Sequence, residues 1–291
     1  MVTEMKDVLC YSIDAESKAG RVIAKDHVAQ GLPAMVFLEP DGSVRDKIVG
    51  FLPAEDFIAE VQRIKKNEFT LGGLRKQVAA NPMDLAIRWN FAQKLEQLGD
   101  KKAYDREIEF IHKNDPDGTS IGSRSLRFAA LRKTAVDDMD FQDVYDFLEK
   151  EKDADLLLNG WFFLFQVESY LADKGEEGTR QSHRKLQISA ARALWSHVPE
   201  KRTLRVANAI SAALLNASDK LEAGDVAFLI EVSGAAARRA PKDANSLAMY
   251  GASLFLAERT QEAIAQLKRC VELAPKNARW RDQLARYQRE K

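Results

Sequence analysis

Prolines repeated at a fixed interval constrain the fold of this chain more than any other feature. Pro82 and Pro116 lie 34 residues apart, and the same 34 residues separate Pro241 from Pro275. Proline ends a helix because it lacks an amide hydrogen and clashes with the preceding turn, so its recurrence marks the end of a repeated helical unit. Helical patterns separated by short breaks continue from about residue 69 to the C-terminus. The sequence therefore predicts an all-α region built from helix pairs.

Small and large residues follow a regular order inside the last interval, 242–275. They are Leu247, Tyr250, Gly251, Leu254, Ala263, Leu267, Cys270 and Pro275. Their spacing resembles that of the tetratricopeptide repeat (TPR), in which small residues let two helices approach and large residues fill the seam. The resemblance implies a TPR-like solenoid over residues 69–291. Within residues 276–291, Trp280, Leu284 and Tyr287 share one face and are expected to cap the solenoid.

The rest of the helical region matches the repeat less well. Residues 83–116 keep the same phase, but Tyr104 stands where the TPR has a small residue. The residues in phase are Phe91, Ala92, Leu95, Gly99, Ile108 and Ile111. Residues 119–198 are predicted to form about four divergent helices. The interval of 42 residues from Pro199 to Pro241 is too long for one standard repeat.

Residues 8–66 alternate strand and helix patterns. Residues 8–13, 34–39 and 43–50 have the composition of strands, and helical stretches run from Asp14 to about His27 and onward from Pro53. Apolar residues of the second stretch share one face, namely Phe57, Ile58, Val61 and Ile64. The turn sequence Pro40-Asp41-Gly42 predicts that the last two strands form a hairpin. The predicted order is β-α-β-β-α.

This order resembles the part of the thioredoxin family that follows its active-site helix, over about 60 residues. The matching segments are Gly31-Leu32-Pro33, Phe37-Leu38-Glu39-Pro40-Asp41-Gly42 and Gly50-Phe51. The resemblance implies an incomplete α/β thioredoxin-like domain at residues 1–68. It also implies that Gly31, Leu32 and Pro33 form a peptide-binding loop, in which Pro33 is cis and the backbone of Leu32 pairs with an extended substrate. An ordinary trans turn before a strand is the alternative interpretation.

Thioredoxin chemistry needs a Cys-x-x-Cys at a helix N-terminus, where the thiolate is stabilised, and this sequence contains none. Cys10 and Cys270 are both expected to be small buried hydrophobic residues, and no residue is predicted to be catalytic. In the thioredoxin family, the strand that matches residues 8–13 pairs with a neighbouring strand that precedes the dithiol. The sequence does not encode that neighbour. Either the lost N-terminus of a longer protein carries that neighbour, or residues 8–13 pair with residues 34–39; the first is favoured because the retained stretch follows the family pattern.

Several kinds of chemistry have no support in the sequence. Lysine plus arginine equals aspartate plus glutamate at 44 each, which argues against a nucleic-acid partner. The four histidines are scattered, so no metal site is predicted, and no cofactor motif is present. The apolar run at 156–165 is too short to cross a membrane and indicates a buried helix. The chain is expected to be soluble and cytoplasmic as written, or periplasmic if an export signal precedes it.

The inner surface of the helical array is the predicted binding site. TPR geometry places Asn245, Ala248, Ala252 and Phe255 of the last repeat there, and Ala86, Trp89, Gln93 and Glu96 of the first. Neither set contains the lysine and asparagine clamp that captures a C-terminal carboxylate, so a partly apolar groove for a helical or extended protein segment is expected. The leading hypothesis is a non-enzymatic, co-chaperone-like interaction protein. A thiol-disulfide oxidoreductase whose catalytic N-terminus is missing, and a thioredoxin-like part that only caps the solenoid, are the alternatives.

Overall fold

The computed structural model describes residues 8–26, 33–52, 54–200 and 203–290. Within these residues it contains fourteen α-helices and one two-stranded sheet, so the protein is mostly helical. The chain divides into two compact units, residues 1–130 and residues 131–291. Every regular element described after Val49 is helical, which confirms the predicted all-α region. The predicted domain boundary between residues 68 and 69 stays a prediction.

Unit 1 contains a β-hairpin and several helices. Its elements are α1 (Lys18–Asp26), β1 (Ala34–Leu38), β2 (Val44–Val49), α2 (Ala54–Lys65), α3 (Leu71–Ala80), α4 (Leu85–Leu98), α5 (Lys101–Asn114) and the first part of α6 (Ile121–Asp138). The described order at the start of the chain is therefore α-β-β-α. The thioredoxin resemblance stays a prediction.

The predicted hairpin is confirmed. Strands β1 and β2 are antiparallel, with Ala34 opposite Val49. The Asp41 side chain accepts hydrogen bonds from the amide and the hydroxyl of Ser43, at 2.9 and 2.6 Å, and Gly42 has a φ of 83° that glycine adopts without strain. Helix α2 covers one side of the hairpin through a core of Ile48, Phe57, Val61 and Ile64.

The predicted strand at residues 8–13 is wrong. These residues have no regular structure, and Leu9 and Tyr11 are 85% and 83% exposed. Among the described residues β1 pairs with β2 alone, so residues 8–13 have no neighbour with which to form a ladder, and the alternative in which they pair with residues 34–39 does not occur. Cys10 is consequently exposed, and its predicted burial is also wrong.

Helices α4 and α5 form the helix pair predicted at residues 83–116. Asp84 begins α4 by accepting hydrogen bonds from the amides of Ala86 and Ile87, and Gly99 ends it with a φ of 83°. Asp100 caps α5 in the same way, through the amide of Ala103 at 3.0 Å. Tyr104, the residue that departs from the repeat pattern, is partly buried against the cluster of Leu74, Phe91 and Leu95. Helix α3 thus provides the space that a larger side chain needs.

The regular elements described in unit 2 are all helical. After the rest of α6 it contains α7 (Gln142–Lys150), α8 (Ala154–Lys174), α9 (Arg180–His197), α10 (Thr203–Leu215), α11 (Ala223–Arg239), α12 (Ala244–Leu256), α13 (Thr260–Leu273) and α14 (Ala278–Arg289). Helices α6 to α9 confirm the four helices predicted at 119–198. The long interval between Pro199 and Pro241 holds α10, a 3-10 helix at Ser218–Lys220 and the 17-residue α11.

A buried carboxylate joins three helices of unit 2. Glu168 of α8 accepts a hydrogen bond from the Tyr145 hydroxyl of α7 at 3.0 Å, and its other oxygen lies 2.7 Å from Nδ1 of His183 in α9. Burial, and then the Glu168 charge, raise the pKa of Tyr145. The apolar run at 156–165 lies in α8, and most of its large side chains are buried, as predicted. No helix in the described part of the chain is long and apolar enough to span a bilayer.

The last repeat forms the core of the C-terminal part of unit 2. Helices α12 and α13 enclose Leu247, Leu254, Ala263, Leu267 and Cys270. Gly251 allows close approach, because an added Cβ would lie 3.3 Å from the carbonyl oxygen of Ala263. Trp280 and Tyr287 of α14 are buried in the same cluster, with Leu284 against it. Helix α14 thus packs against the last repeat, and its role as a cap stays a prediction.

Candidate functional site

A groove with a volume of about 450 Å³ lies between α12 and α14 of unit 2. Helix α12 contributes Asn245, Ala248, Ala252 and Phe255, which are the four residues that the sequence predicts for the last repeat. They recur every three or four residues and so share one face of the helix. Met249 and Leu256 flank them, and the end of α10 adds Leu215 while the turn after it adds Ser218. Their predicted role in binding remains a prediction.

Stacked aromatic rings form one end of the groove. The rings of Phe255 in α12 and Tyr287 in α14 are 3.8 Å apart between centroids and are inclined by only 4°. Tyr287 is 1% exposed, and its hydroxyl oxygen accepts a hydrogen bond from Nε2 of Gln283 at 3.0 Å. Trp280, one turn before Gln283 on α14, is also buried. Because these rings are held by packing, the apolar surface of the groove is largely formed before any ligand arrives.

Two arginines of α14 line the groove beside the rings. The Arg279 guanidinium lies 4.9 Å from the Trp280 ring centroid, and the Arg286 guanidinium lies 5.1 Å from Tyr287 and 5.8 Å from Phe255. All three distances are within the range of cation–π attraction. Among the described residues that line the groove, these two arginines are the charged ones, and none is an aspartate or glutamate. The groove therefore combines an apolar floor with a positive rim.

The sequence interpretation missed the contribution of α14. It assigned Trp280, Leu284 and Tyr287 to a cap and gave no role to Arg279, Gln283 or Arg286. The available signal was the seven-residue spacing of the two arginines, which places both on one face of a helix next to the aromatic residues. Helix α14 therefore forms one wall of the groove and α12 forms another.

The residues predicted for the first repeat lie in unit 1. Gln93 and Ala86 are exposed on α4, and Trp89 is partly buried. An added Cβ on Gly122 would lie 3.3 Å from the Cβ of Trp89, so the base of this side chain packs against the start of α6. The role predicted for Trp89 and Gln93 in binding stays a prediction.

The predicted thioredoxin-like loop is described only in part. Gly31 and Leu32 lie outside the described residues. Pro33 is exposed, and its carbonyl oxygen accepts a hydrogen bond from the Gly50 amide at 2.8 Å, which links the two ends of the hairpin. Binding of a peptide at Gly31, Leu32 and Pro33 therefore stays a prediction.

The two cysteines occupy different environments. Cys270 is fully buried, its Sγ donates to the carbonyl oxygen of Ala244 at 3.3 Å, and burial raises the pKa of its thiol to about 11. This confirms the predicted burial of Cys270 as a small hydrophobic residue, whereas Cys10 is exposed. Among the described residues no group of three or more histidine, cysteine or acidic side chains is placed to hold a metal ion.

Comparison with known proteins gives little further information. No protein family model matches the chain, and no curated protein matches it. Among solved structures, the chain is similar to the MamA RS-1 ArsTM double mutant, with 15% sequence identity over 58% of this chain and 85% of that one, and a TM-score of 0.39. The helix pairs α4–α5 and α12–α13 are compatible with a TPR-like fold.

Proposed function

We propose that this chain is a protein-interaction module in which the α12–α14 groove binds a segment of another protein. The observation that carries the proposal is the groove itself, with its apolar floor, its ordered rings and a volume of about 450 Å³. That volume lies in the range of about 300–1,000 Å³ in which proteins usually bind ligands. It accommodates one or two bulky side chains of a helix or extended segment laid along the groove.

The residue chemistry favours binding over catalysis. The buried Cys270 thiol has a raised pKa, and the exposed Cys10 belongs to the other unit. The sequence also contains no Cys-x-x-Cys, the arrangement that disulfide exchange by a thioredoxin-type site requires. More specifically, we propose that the protein acts like a co-chaperone. It would combine this groove with a thioredoxin-like peptide-binding edge near Pro33.

A pull-down with matched variants tests the proposal. Ala252→Glu places a charge in the floor of the groove, and Lys268→Glu changes the net charge on the exposed side of α13, outside the lining. We expect proteins from the native source to be retained by the wild type and by Lys268→Glu and to be lost with Ala252→Glu. Equal recovery with all three proteins would exclude the groove as the binding site. Circular dichroism melts establish that each variant is folded.

A further inference from the structure

The α12–α14 groove has an unbalanced positive charge. Helix α12, whose sequence is Ala-Asn-Ser-Leu-Ala-Met-Tyr-Gly-Ala-Ser-Leu-Phe-Leu, contains no charged residue. Helix α14 contains four arginines and one aspartate, and Arg279 and Arg286 line the groove. Apolar contacts with a ligand would not require arginines at the edge of the groove. The position of the two arginines therefore indicates that the ligand carries negative charge. We infer that the groove binds an acidic protein segment, with carboxylates at Arg279 and Arg286 on either side of a bulky apolar side chain; this inference rests on the proposed function.

The ion pair between Arg286 and Glu290 is weak. The closest contact of this pair is 3.9 Å, from Nε of Arg286 to Oε1 of Glu290, and both side chains are more than half exposed. Exposed pairs at such distances contribute little, because water screens the charges and both side chains lose freedom. A guanidinium has five N–H donors, so this pair does not use its capacity to bind a carboxylate in a bidentate manner.

The aromatic rings orient both guanidinium groups. Arg279 lies over Trp280 and Arg286 over Tyr287, with centroid distances of 4.9 and 5.1 Å. An arginine over a ring face keeps its N–H donors available at the edge of its plane, where a carboxylate can bind. The ring contact also reduces the side-chain freedom that binding would otherwise remove. The positive rim is therefore prepared for an anionic ligand.

The spacing of the arginines defines the expected ligand. They are seven residues apart on α14, which corresponds to roughly 10 Å along the helix axis. Carboxylates three residues apart in an extended polyproline II segment, or seven apart in a helical one, lie on one face and span roughly this distance. The rings of Phe255 and Tyr287 lie beside Arg286, so an apolar side chain between the two acidic residues would contact them.

Selection from a displayed library of random 12-residue peptides tests the inference with the full chain as bait. We expect enriched peptides to carry two acidic residues at one of these spacings around a bulky apolar residue. For an enriched peptide labelled with fluorescein, we expect Arg286→Glu to weaken binding about tenfold or more, the effect of losing one hydrogen bond to a charged group. Arg286→Gln should weaken it less, and Lys268→Glu, with the same charge change away from the groove, should leave it unchanged.

The outcomes separate this inference from the proposed function. Enriched neutral or basic peptides that still compete for the groove would overturn the acidic ligand and leave protein binding in place. Enrichment of no peptide, or of peptides that Ala252→Glu does not affect, would overturn both. Sedimentation of the protein without peptide identifies a further occupant, since a dimer that Arg286→Glu dissociates would assign the groove to a second copy of this chain and overturn the inference.

Discussion

The ammonium group of Lys94 lies 2.9 and 3.1 Å from the two carboxylate oxygens of Asp46. Asp46 is fully buried on β2, and it also accepts hydrogen bonds from Arg63 of α2 at 2.8 Å and from the Lys47 amide at 2.9 Å. Lys94 is on α4, in the first helix pair. One buried carboxylate thus connects the hairpin, the helix that covers it and the first repeat within unit 1.

Removal of this carboxylate should destabilise unit 1 strongly. Asp46→Ala removes the carboxylate that pairs with the buried Lys94 ammonium and one of the two that Arg63 contacts, Glu60 being the other, and we expect a loss of about 3–5 kcal/mol in the free energy of unfolding. Asp46→Ala combined with Lys94→Met should recover part of the loss, because the unpaired buried charge is then absent. Urea unfolding monitored by circular dichroism measures both. A loss below about 1 kcal/mol in the single variant would contradict the role of the pair.

Asp115 should make the stability of unit 1 depend on pH below about pH 4. Hydrogen bonds from Ser120 and Ser123, together with the amides of Ser120 and Thr119, hold the pKa of the Asp115 carboxyl well below its usual value. A folded-state pKa below the unfolded value of about 3.9 means that the stabilisation is present above that pH and is lost as the pH falls through the folded pKa.

Asp115→Ala should therefore lower the free energy of unfolding by about 1–3 kcal/mol at pH 7, because the amides of Thr119 and Ser120 lose their hydrogen-bond acceptor. The difference from the wild type should shrink as the pH falls below about 4. Asp117→Ala, an exposed residue of the same loop, is the control and should have little effect. A difference that is constant between pH 7 and pH 2 would refute the assignment.

The two thiols should react at very different rates. Cys10 is exposed and Cys270 is buried with a pKa raised to about 11, and only the thiolate reacts with Ellman's reagent. At pH 8 we expect one thiol per native chain to react promptly and the second only after unfolding in guanidinium. Cys10→Ser should abolish the prompt reaction. Two prompt thiols in the native protein would show that Cys270 is accessible.

Tyr287 should be essential for docking of α14. Its ring is buried and stacks on Phe255, so Tyr287→Ala should lower the stability of the C-terminal part of unit 2 by about 3–5 kcal/mol. Tyr287→Phe keeps the ring and loses only the hydrogen bond from Gln283, for which about 1 kcal/mol is expected. Thermal melts of the two variants measure the difference. Similar losses for both would assign the effect to the hydroxyl instead of the ring.

The features that the sequence predicted correctly depend on local chemistry. The hairpin follows from Pro40-Asp41-Gly42 and the adjacent Ser43, whose turn hydrogen bonds span at most four residues. The α12 face of the groove follows from helical periodicity. Local chemistry could not decide whether residues 8–13 form a strand, because a strand exists only where a neighbouring strand supplies hydrogen bonds.

Other features depend on packing that no local pattern contains. The face of α14 that lines the groove is set by how Trp280 and Tyr287 enter the α12–α13 core. The pair between Asp46 and Lys94 joins positions 48 residues apart, on elements of different predicted type. Neither segment contains a local sequence pattern that would predict this contact.

The stack of Phe255 on Tyr287 has a consequence for regulation of the site. One ring belongs to α12 and the other to α14, so the groove exists only while α14 is docked. A ligand that touches both helices must bind the docked state more tightly than the undocked state, and by linkage it shifts the docking equilibrium toward closure. Loss of α14 docking would switch off binding before the rest of the array unfolds. Amide hydrogen exchange in α14 would then report occupancy of the groove.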